Sequence, residues 1–349
     1  MNVVLGIDFS GGHLYPALTF AKALKQSRPQ LNVLFTGANR SQEEVIKGAG
    51  FISIGFKVQF RQILLESFLR FFEAIYILLR FSPSRVYGFG GRNSFFLILI
   101  ASFFRPTYIY EPNVVLGKAN KILIHFCRRT FRGIGNTEKT AAKEIYVGVP
   151  IRQSIIARAN ISPSQILRRI DLQTDRKYFT VFIFGGSKGS LVINNTVTEA
   201  LKFLQKDVFQ FIHITGREGK EKVEAIYREY GFFCFCRAFF DDMGILYQAS
   251  HLVVCRGGAS SLAEINFFSR PAIVVPYPYA SGHQKDNVEF LARKGCILVK
   301  EEKDFTPLSL ATLLMRVRND EKLRERFIVS HEKVRIWTRA EEFASLLWP

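Results

Sequence analysis

The feature that most constrains this chain is an alternation that occurs twice. Short apolar runs are separated by longer helix-like stretches, and a glycine-rich turn opens each series. Val3–Ile7, Leu31–Thr36, Phe51–Ile54, Arg85–Tyr87 and Thr107–Tyr110 read as strands, with helix-like segments near 13–28, 41–49, 60–80 and 93–104 between them. Parallel strands need crossovers long enough to hold a helix, so this alternation predicts an α/β fold with a parallel sheet covered on both faces. Gly148 and Pro150, two apart in Tyr146–Arg152, break regular structure and suit a hinge. The pattern then restarts. Tyr178–Phe184 leads into a second glycine turn and a helix near 191–205. Further strands are expected at Phe209–Thr215, Phe232–Cys236, Leu252–Cys255, Ala272–Val275 and Ile297–Val299, and a charged helical tail from Pro307. At 349 residues the chain exceeds what one core usually supports, so two domains are expected.

Three turns carry the candidate chemistry. Ser10, Gly11, Gly12 and His13 follow the first strand, where glycines let backbone N–H groups approach an anion at a helix start. Gly6 is too far back to complete G-x-G-x-x-G. A neutral His13 can take a proton from an attacking hydroxyl, or it can make only a structural hydrogen bond. Asp8 nearby is either a second base or the cap of a turn. The second turn, Gly185-Gly186-Ser187-Lys188-Gly189-Ser190, is not a Walker A loop, because its lysine precedes the last glycine. Its amides and Ser187 can hold a diphosphate; a plain tight turn is the alternative. In the third, Cys255–Glu264, glycines turn the chain and small residues open a helix. Glu264 can accept hydrogen bonds from ribose hydroxyls there, or merely complement the helix dipole. His283–Asn287 adds polar groups downstream.

In order along the chain, these segments resemble the MurG family of glycosyltransferases. The match runs through Ser10–Pro16, Gly88–Gly91, Tyr110–Asn113, Gly148–Arg152, Gly185–Ser190 with Asn194, Phe239–Met243, Cys255–Glu264 and His283–Asn287, over roughly residues 1–300. The resemblance implies a GT-B fold, two Rossmann-like domains facing across a cleft. An acceptor and membrane-facing domain at 1–150 and a UDP-sugar domain at 151–335 are expected, with residues 336–349 a helix returning to the first. It implies an inverting transfer of N-acetylglucosamine from UDP-N-acetylglucosamine to the 4-hydroxyl of muramyl-pentapeptide-diphosphate-undecaprenol, in peptidoglycan synthesis. His13 would be the catalytic base. Ser10, Gly11, Gly12, Asn113, Arg152, Ser187, Phe240, Ala259, Ser260, Ser261, Leu262, Ala263, Glu264, His283 and Gln284 would bind the donor. No cofactor and no metal are expected, and Asp241-Asp242 reads as a helix-start cap. The chain departs from the family pattern at Asp8, Ser10, Tyr110 and Pro112, on the side where the acceptor is expected. Alternatives are a related GT-B enzyme acting on another lipid, such as a diacylglycerol galactosyltransferase, or a UDP-sugar epimerase.

Composition narrows the setting. The net charge of +18 admits nucleic acid, anionic lipid or acidic small substrates. The basic residues are dispersed and not interleaved with stacking aromatics, which argues against nucleic acid. The absence of G-x-G-x-x-G argues against a dinucleotide oxidoreductase. Five scattered cysteines fit reduced thiols in a cytoplasmic protein. No segment offers the ~20 apolar residues of a membrane span, and Met1–Gly6 reads as a strand and not a signal peptide. Along Gln62–Phe81, Gln62, Glu66, Arg70, Glu73 and Arg80 fall in one stripe at about 100° per residue, leaving a wide apolar face. Leu65, Phe68, Phe72 and Leu79 are expected to form a patch flanked by Arg61, Arg70, Arg80 and Arg85. A neighbouring element covering this face is the alternative; left open, the patch would attach the protein peripherally to anionic lipid, and the resemblance implies the cytoplasmic face of the inner membrane.

Overall fold

The computed structural model describes residues 1–9, 11–55, 63–135, 143–186, 189–217, 219–279 and 282–348. The chain divides into two compact units, Met1–Pro150 with Thr338–Pro349, and Ile151–Trp337. Each is an α/β unit around one parallel sheet, as the doubled alternation predicts.

The first unit has seven strands: β1 (Asn2–Gly6), β2 (Asn32–Thr36), β3 (Ile52–Ser53), β4 (Arg85–Gly88), β5 (Thr107–Glu111), β6 (Arg129–Arg132) and β7 (Glu144–Tyr146). They lie in the order β3-β2-β1-β4-β5-β6-β7, all parallel. Helices α1 (Gly11–Ser27), α2 (Arg40–Gly48), α3 (Ile63–Phe81), α4 (Phe95–Ala101) and α5 (Lys118–Leu123) make the crossovers. Alternate side chains of β1 go to opposite faces. Val3 and Leu5 join the cluster around Phe20 of α1, while Val4 packs with Ala74 and Ile77 of α3 and Ile98 of α4. Strand order reverses between β1 and β4, so the turns that follow these two strands lie side by side.

Helix α3 corrects one sequence expectation. Arg70 and Glu73 are 6% and 3% exposed and form a 2.6 Å ion pair on the inward face, beside Ala74 and Ile77. Thr36 at the end of β2 donates to Glu73. The mutual neutralisation of a pair one turn apart lets these charges face the sheet. The outward face carries Phe68, Phe71, Phe72, Tyr76 and Leu79, the last 79% exposed. Arg70 therefore does not flank the outer apolar strip. Arg85 does not either, since its guanidinium sits 4.2 Å from the ring of Trp348. Arg80 is exposed as expected. Arg61 and Gln62 lie outside the described residues, as do the side chains of Leu65 and Glu66. No helix among the described residues is long and apolar enough to cross a membrane.

The chain passes into the second unit within β8 (Val149–Ile151). Six parallel strands follow: β9 (Phe179–Phe184), β10 (Phe209–Ile214), β11 (Cys234–Arg237), β12 (Leu252–Cys255), β13 (Ala272–Val274) and β14 (Leu298–Val299). Their order is β11-β10-β9-β12-β13-β14. Strands β9 and β10 are buried along their whole length, including the polar Thr180, Gln210 and His213, as strands covered by helices on both faces are. The helices are α6 (Gln153–Ile156), α7 (Pro163–Arg169), α8 (Leu191–Ala200), α9 (Lys220–Glu229), α10 (Met243–Ala249), α11 (Ala259–Phe267), α12 (His283–Arg293), α13 (Pro307–Asn319) and α14 (Glu321–Glu332). Order again reverses in mid-sheet, between β9 and β12.

After β15 (Trp337–Arg339), helix α15 (Ala340–Leu347) belongs to the first unit and packs on α1. Phe343 and Leu347 are fully buried there, and Tyr87 donates a 3.0 Å hydrogen bond to the Leu347 carbonyl. Tyr110, one of the family departures, is also interior. Its ring stands edge-on to Phe343 at 5.0 Å and its hydroxyl donates to the Gly148 carbonyl. Pro112 is buried as well. Both departures therefore lie in the packed interior of the first unit.

Candidate functional site

In the second unit the sheet reversal brings together the turns after β9 and β12. Gly185 and Gly189 have no room for a side chain: a Cβ on Gly189 would lie 2.5 Å from the Thr215 carbonyl oxygen, and its φ is +77°. Ser190 caps α8, accepting from the Ile193 N–H. Thr215 is fixed from behind, because Asn194 donates to its carbonyl at 3.0 Å. The Asn194 side-chain oxygen accepts from His213, whose other ring nitrogen accepts from the Tyr227 hydroxyl. Complete burial pushes the His213 pKa down to about 3, so the ring stays neutral and holds this single hydrogen-bonding arrangement. Ser187, expected to bind diphosphate, lies outside the described residues.

Beyond β12, Gly257 and Gly258 lead into α11. The Gly257 N–H donates to the Gln284 side-chain carbonyl at 3.1 Å, and the Tyr277 N–H donates to the same oxygen at 2.9 Å. Gln284 therefore clamps two turns. A Cβ on Gly257 would meet Val288 at 2.6 Å, which shows how closely α12 approaches. Leu262 and Ala263 are buried, so they can meet a ligand only through backbone groups, whereas Ser260 and Ser261 are half-buried. Glu264 pairs with Arg152 at 3.7 Å, with 13% of the Glu264 side chain exposed. Burial pushes the Glu264 pKa up, and Arg152 pulls it partly back. His283 opens α12, and its Nδ1 is buried with no hydrogen-bond partner among the described residues. Phe240 is half-buried, edge-on to Phe235 at 5.5 Å. Asp242 stands at the start of α10 but makes no capping bond; it pairs with Arg158 at 2.9 Å, correcting the expected cap.

Arg256 was not singled out from the sequence. It is 7% exposed and donates to Ser190 at 2.9 Å and to the Val275 carbonyl at 3.4 Å, and it pairs with Glu302 at 2.5 Å. It ties both glycine turns together and leaves a cation beneath them. A buried arginine with bonds to two turns has no periodic signature; only the fold makes it visible.

In the first unit the turns after β1 and β4 meet. A Cβ on Gly90, at φ +103°, would lie 2.8 Å from His13 Nε2, so the imidazole stands against a bare glycine backbone. Asp8 accepts from its neighbour Phe9 N–H at 2.8 Å and from Arg92 N–H at 2.7 Å. The carboxylate thus staples the two turns. Gly91, with φ +87°, has Asp8 where a side chain would go. Gly11 and Gly12 begin α1, and Ser10 lies outside the described residues. Asn113 is held on its own loop by Glu111, which accepts from both its backbone N–H and its side-chain amide. Buried Glu111 also accepts from Gly117 N–H and the Asn120 amide, so it organises the whole loop. Among the described residues no cluster of His, Cys, Asp or Glu is placed to hold a metal ion.

Residues 7–132 match the glycosyltransferase family 28 N-terminal domain, and residues 180–334 match the C-terminal domain of that family. The UDP-N-acetylglucosamine–N-acetylmuramyl-(pentapeptide) pyrophosphoryl-undecaprenol N-acetylglucosamine transferase of Bdellovibrio bacteriovorus is 31% identical over 94% of this chain and 93% of its own. The protein of the same description from Syntrophus aciditrophicus is 32% identical over 89% of this chain and 88% of its own. Among solved structures, Acinetobacter baumannii MurG superposes with a TM-score of 0.80 at 22% identity, covering 99% of each chain. That likeness shows the fold, a GT-B pair of parallel-sheet units. The chain belongs to glycosyltransferase family 28, and within it to the MurG family.

Proposed function

We propose that the protein transfers N-acetylglucosamine from UDP-N-acetylglucosamine to the 4-hydroxyl of a muramyl-pentapeptide-diphosphate-undecaprenol acceptor, with inversion. The observation that carries this reading is the Arg152–Glu264 pair, with Glu264 past the first turn of α11, the helix that opens directly after the Gly257-Gly258 turn. A carboxylate one turn into a helix suits the ribose hydroxyls, while helix starts and arginine suit the diphosphate. The names of the relatives supply the sugar and the acceptor.

The second unit would hold the donor. Arg152, Ser187, the α8 and α11 N-termini and Ala259–Glu264 would meet the nucleotide diphosphate and ribose. Phe240 would lie by the base, and His283 and Gln284 by the sugar or phosphate. The leaving diphosphate gains negative charge as the glycosidic bond breaks, and fixed N–H dipoles stabilise that charge without reorganising. In the first unit His13 would take the acceptor proton as the hydroxyl attacks the anomeric carbon. Asn113, together with the Ser10–Gly12 turn, would complete that side. The outward apolar row of α3, with Phe68, Phe72 and Leu79 exposed, would bring the protein peripherally to the membrane holding its acceptor.

The test is product analysis after incubation with labelled UDP-N-acetylglucosamine and a short-chain lipid I analogue. A disaccharide product joined β1→4 is expected. Hydrolysis or epimerisation of the donor with no acceptor product would overturn the reading.

A further inference from the structure

Tyr247 of α10 is wholly buried and lies against the end of α11, the helix that carries Glu264. Its ring stacks on Phe268 at 5.5 Å with the planes 16° apart, and stands edge-on to Phe182 at 5.2 Å and to Phe184 at 5.9 Å. Phe268 is one helical turn beyond Glu264, and its N–H donates to the Glu264 carbonyl at 3.1 Å. Residues four apart share a helix face, so the ring on Phe268 runs along the face from which Glu264 projects. Contact with three aromatic rings fixes its plane and leaves the hydroxyl little choice of direction. Burial pushes the Tyr247 pKa well up, and the Glu264 carboxylate beside it pushes further. The hydroxyl nevertheless makes no hydrogen bond of good geometry with any described residue. A buried hydroxyl is costly to leave in that state, so one next to a carboxylate is poised to donate to it.

Arg152 after β8, Tyr247 on α10 and Cys255 at the end of β12 face Glu264 among the described residues. Burial, with Glu264 next, pushes the Cys255 thiol well up, so it stays neutral, and the Tyr247 hydroxyl likewise keeps its proton. Arg152 is the one cation of the three. A carboxylate offers about four lone-pair sites. One for Arg152 and one for Tyr247 leave about two, the number that a ribose with two hydroxyls can fill. We propose that Tyr247 is a positioning residue for the nucleotide: its hydroxyl donates to Glu264 as the ribose docks, and with Arg152 it fixes the carboxylate to accept from both ribose hydroxyls. This role depends on Glu264 meeting the ribose, as proposed above, and adds the group that orients it. Hydrogen bonds at such sites are often poorly aligned before the ligand arrives and tighten in the complex. Tyr247 itself touches no ligand and acts through Glu264.

Calorimetry on the full chain with UDP and with 2′,3′-dideoxy-UDP, repeated across pH, tests this. The parent protein should prefer UDP by about tenfold or more, since only UDP brings the hydroxyls. Tyr247→Phe keeps the ring and its packing but removes the donor. It should weaken UDP by about three- to tenfold and leave dideoxy-UDP unchanged. It should also move the pH at which UDP affinity falls upward, because Glu264 loses a donor that favours its ionised form. In a Glu264→Gln background the same change should cost UDP little more, as expected of two residues acting through one contact. A Tyr247→Phe protein that keeps the full preference for UDP, or that loses both ligands equally, would overturn the positioning role while the ribose reading of Glu264 stands. Equal affinity of the parent protein for the two ligands would overturn both.

Discussion

Arg256 donates a 2.9 Å hydrogen bond to the hydroxyl of Ser190, joining the turn after β12 to the turn after β9. The same guanidinium is held from the other side by Glu302. Replacing it with methionine removes the tie and leaves Glu302 without its cation. Glu302 is 23% exposed in its side chain, so water softens the loss. A destabilisation of about 2 kcal/mol is expected, below the roughly 3–5 kcal/mol of a fully buried pair. Urea unfolding measures it, and UDP affinity should fall in the surviving folded fraction. Ser190→Ala should weaken UDP without the full stability cost.

Glu264→Ala should lower UDP affinity by roughly 1.5–3 kcal/mol, about tenfold or more, through loss of charge-assisted hydrogen bonds. The pH dependence follows from burial, which raises the Glu264 pKa above its usual 4.5. With the proposed ribose hydroxyls donating to the ionised carboxylate, affinity should be full above the raised pKa and decline as pH falls through it. The midpoint should lie above that of an ordinary glutamate, and Glu264→Gln should flatten the profile. Calorimetry across this range gives the answer; a pH-independent affinity in the parent protein would count against a ribose role.

Two buried histidines should make the second unit acid-labile. His213 and His331 are 0% and 2% exposed, with pKa values pushed down to about 3 and about 4 from 6.5 by burial. Each is neutral when folded and takes a proton more readily when unfolded. Their stabilising contribution is complete above about pH 6.5 and is lost as pH falls toward the folded values. With both titrating, the slope approaches about 2.7 kcal/mol per pH unit. Unfolding curves between pH 7 and 4 should show it, and His331→Gln should reduce the slope.

His13→Ala should depress turnover by about 10²–10⁴-fold while UDP affinity stays near its original value. Asp8→Asn tests the competing base. Both Asp8 oxygens accept backbone N–H bonds, so asparagine should loosen the turns and lower stability, with turnover reduced far less than in the His13 variant. The reverse ranking of rates would move the base to Asp8.

Phe72→Ser with Leu79→Ser should weaken sedimentation with anionic vesicles and leave melting nearly unchanged, because both side chains are already exposed. Binding should also fall with added salt. Equal binding by parent and variant would place membrane contact elsewhere.

The parallel-sheet architecture was legible because buried strands such as Phe179–Phe184 are dominated by β-branched and aromatic residues and glycines mark their ends. Strands β6 and β7 escaped notice: Arg129-Thr130-Phe131-Arg132 and Glu144-Ile145-Tyr146 are too short and too polar to stand out. The polar stripe of α3 was legible as a stripe, but Arg70 turns inward with Glu73 instead of flanking the apolar strip, while Arg80 is exposed as expected. Periodicity says which residues share a face; only the pairing of Arg70 with Glu73 says that this face is inside. The glycine turns and Glu264 were visible as motifs. Their bracing was not: Arg256 and Glu111 sit inside matched motifs without a visible role, and Arg256 and His213 act through partners distant in sequence.

Helix α15 has a consequence for biosynthesis. Phe343 and Leu347 complete the core that α1 begins, yet the whole second unit is translated between them. A nascent chain therefore presents the α1 face uncovered while the second unit is being made, at about 5–20 residues per second. The unit that starts first is finished last. A lesion in α15 should accordingly expose the amino-terminal half to chaperones and proteases while the later-made half folds undisturbed.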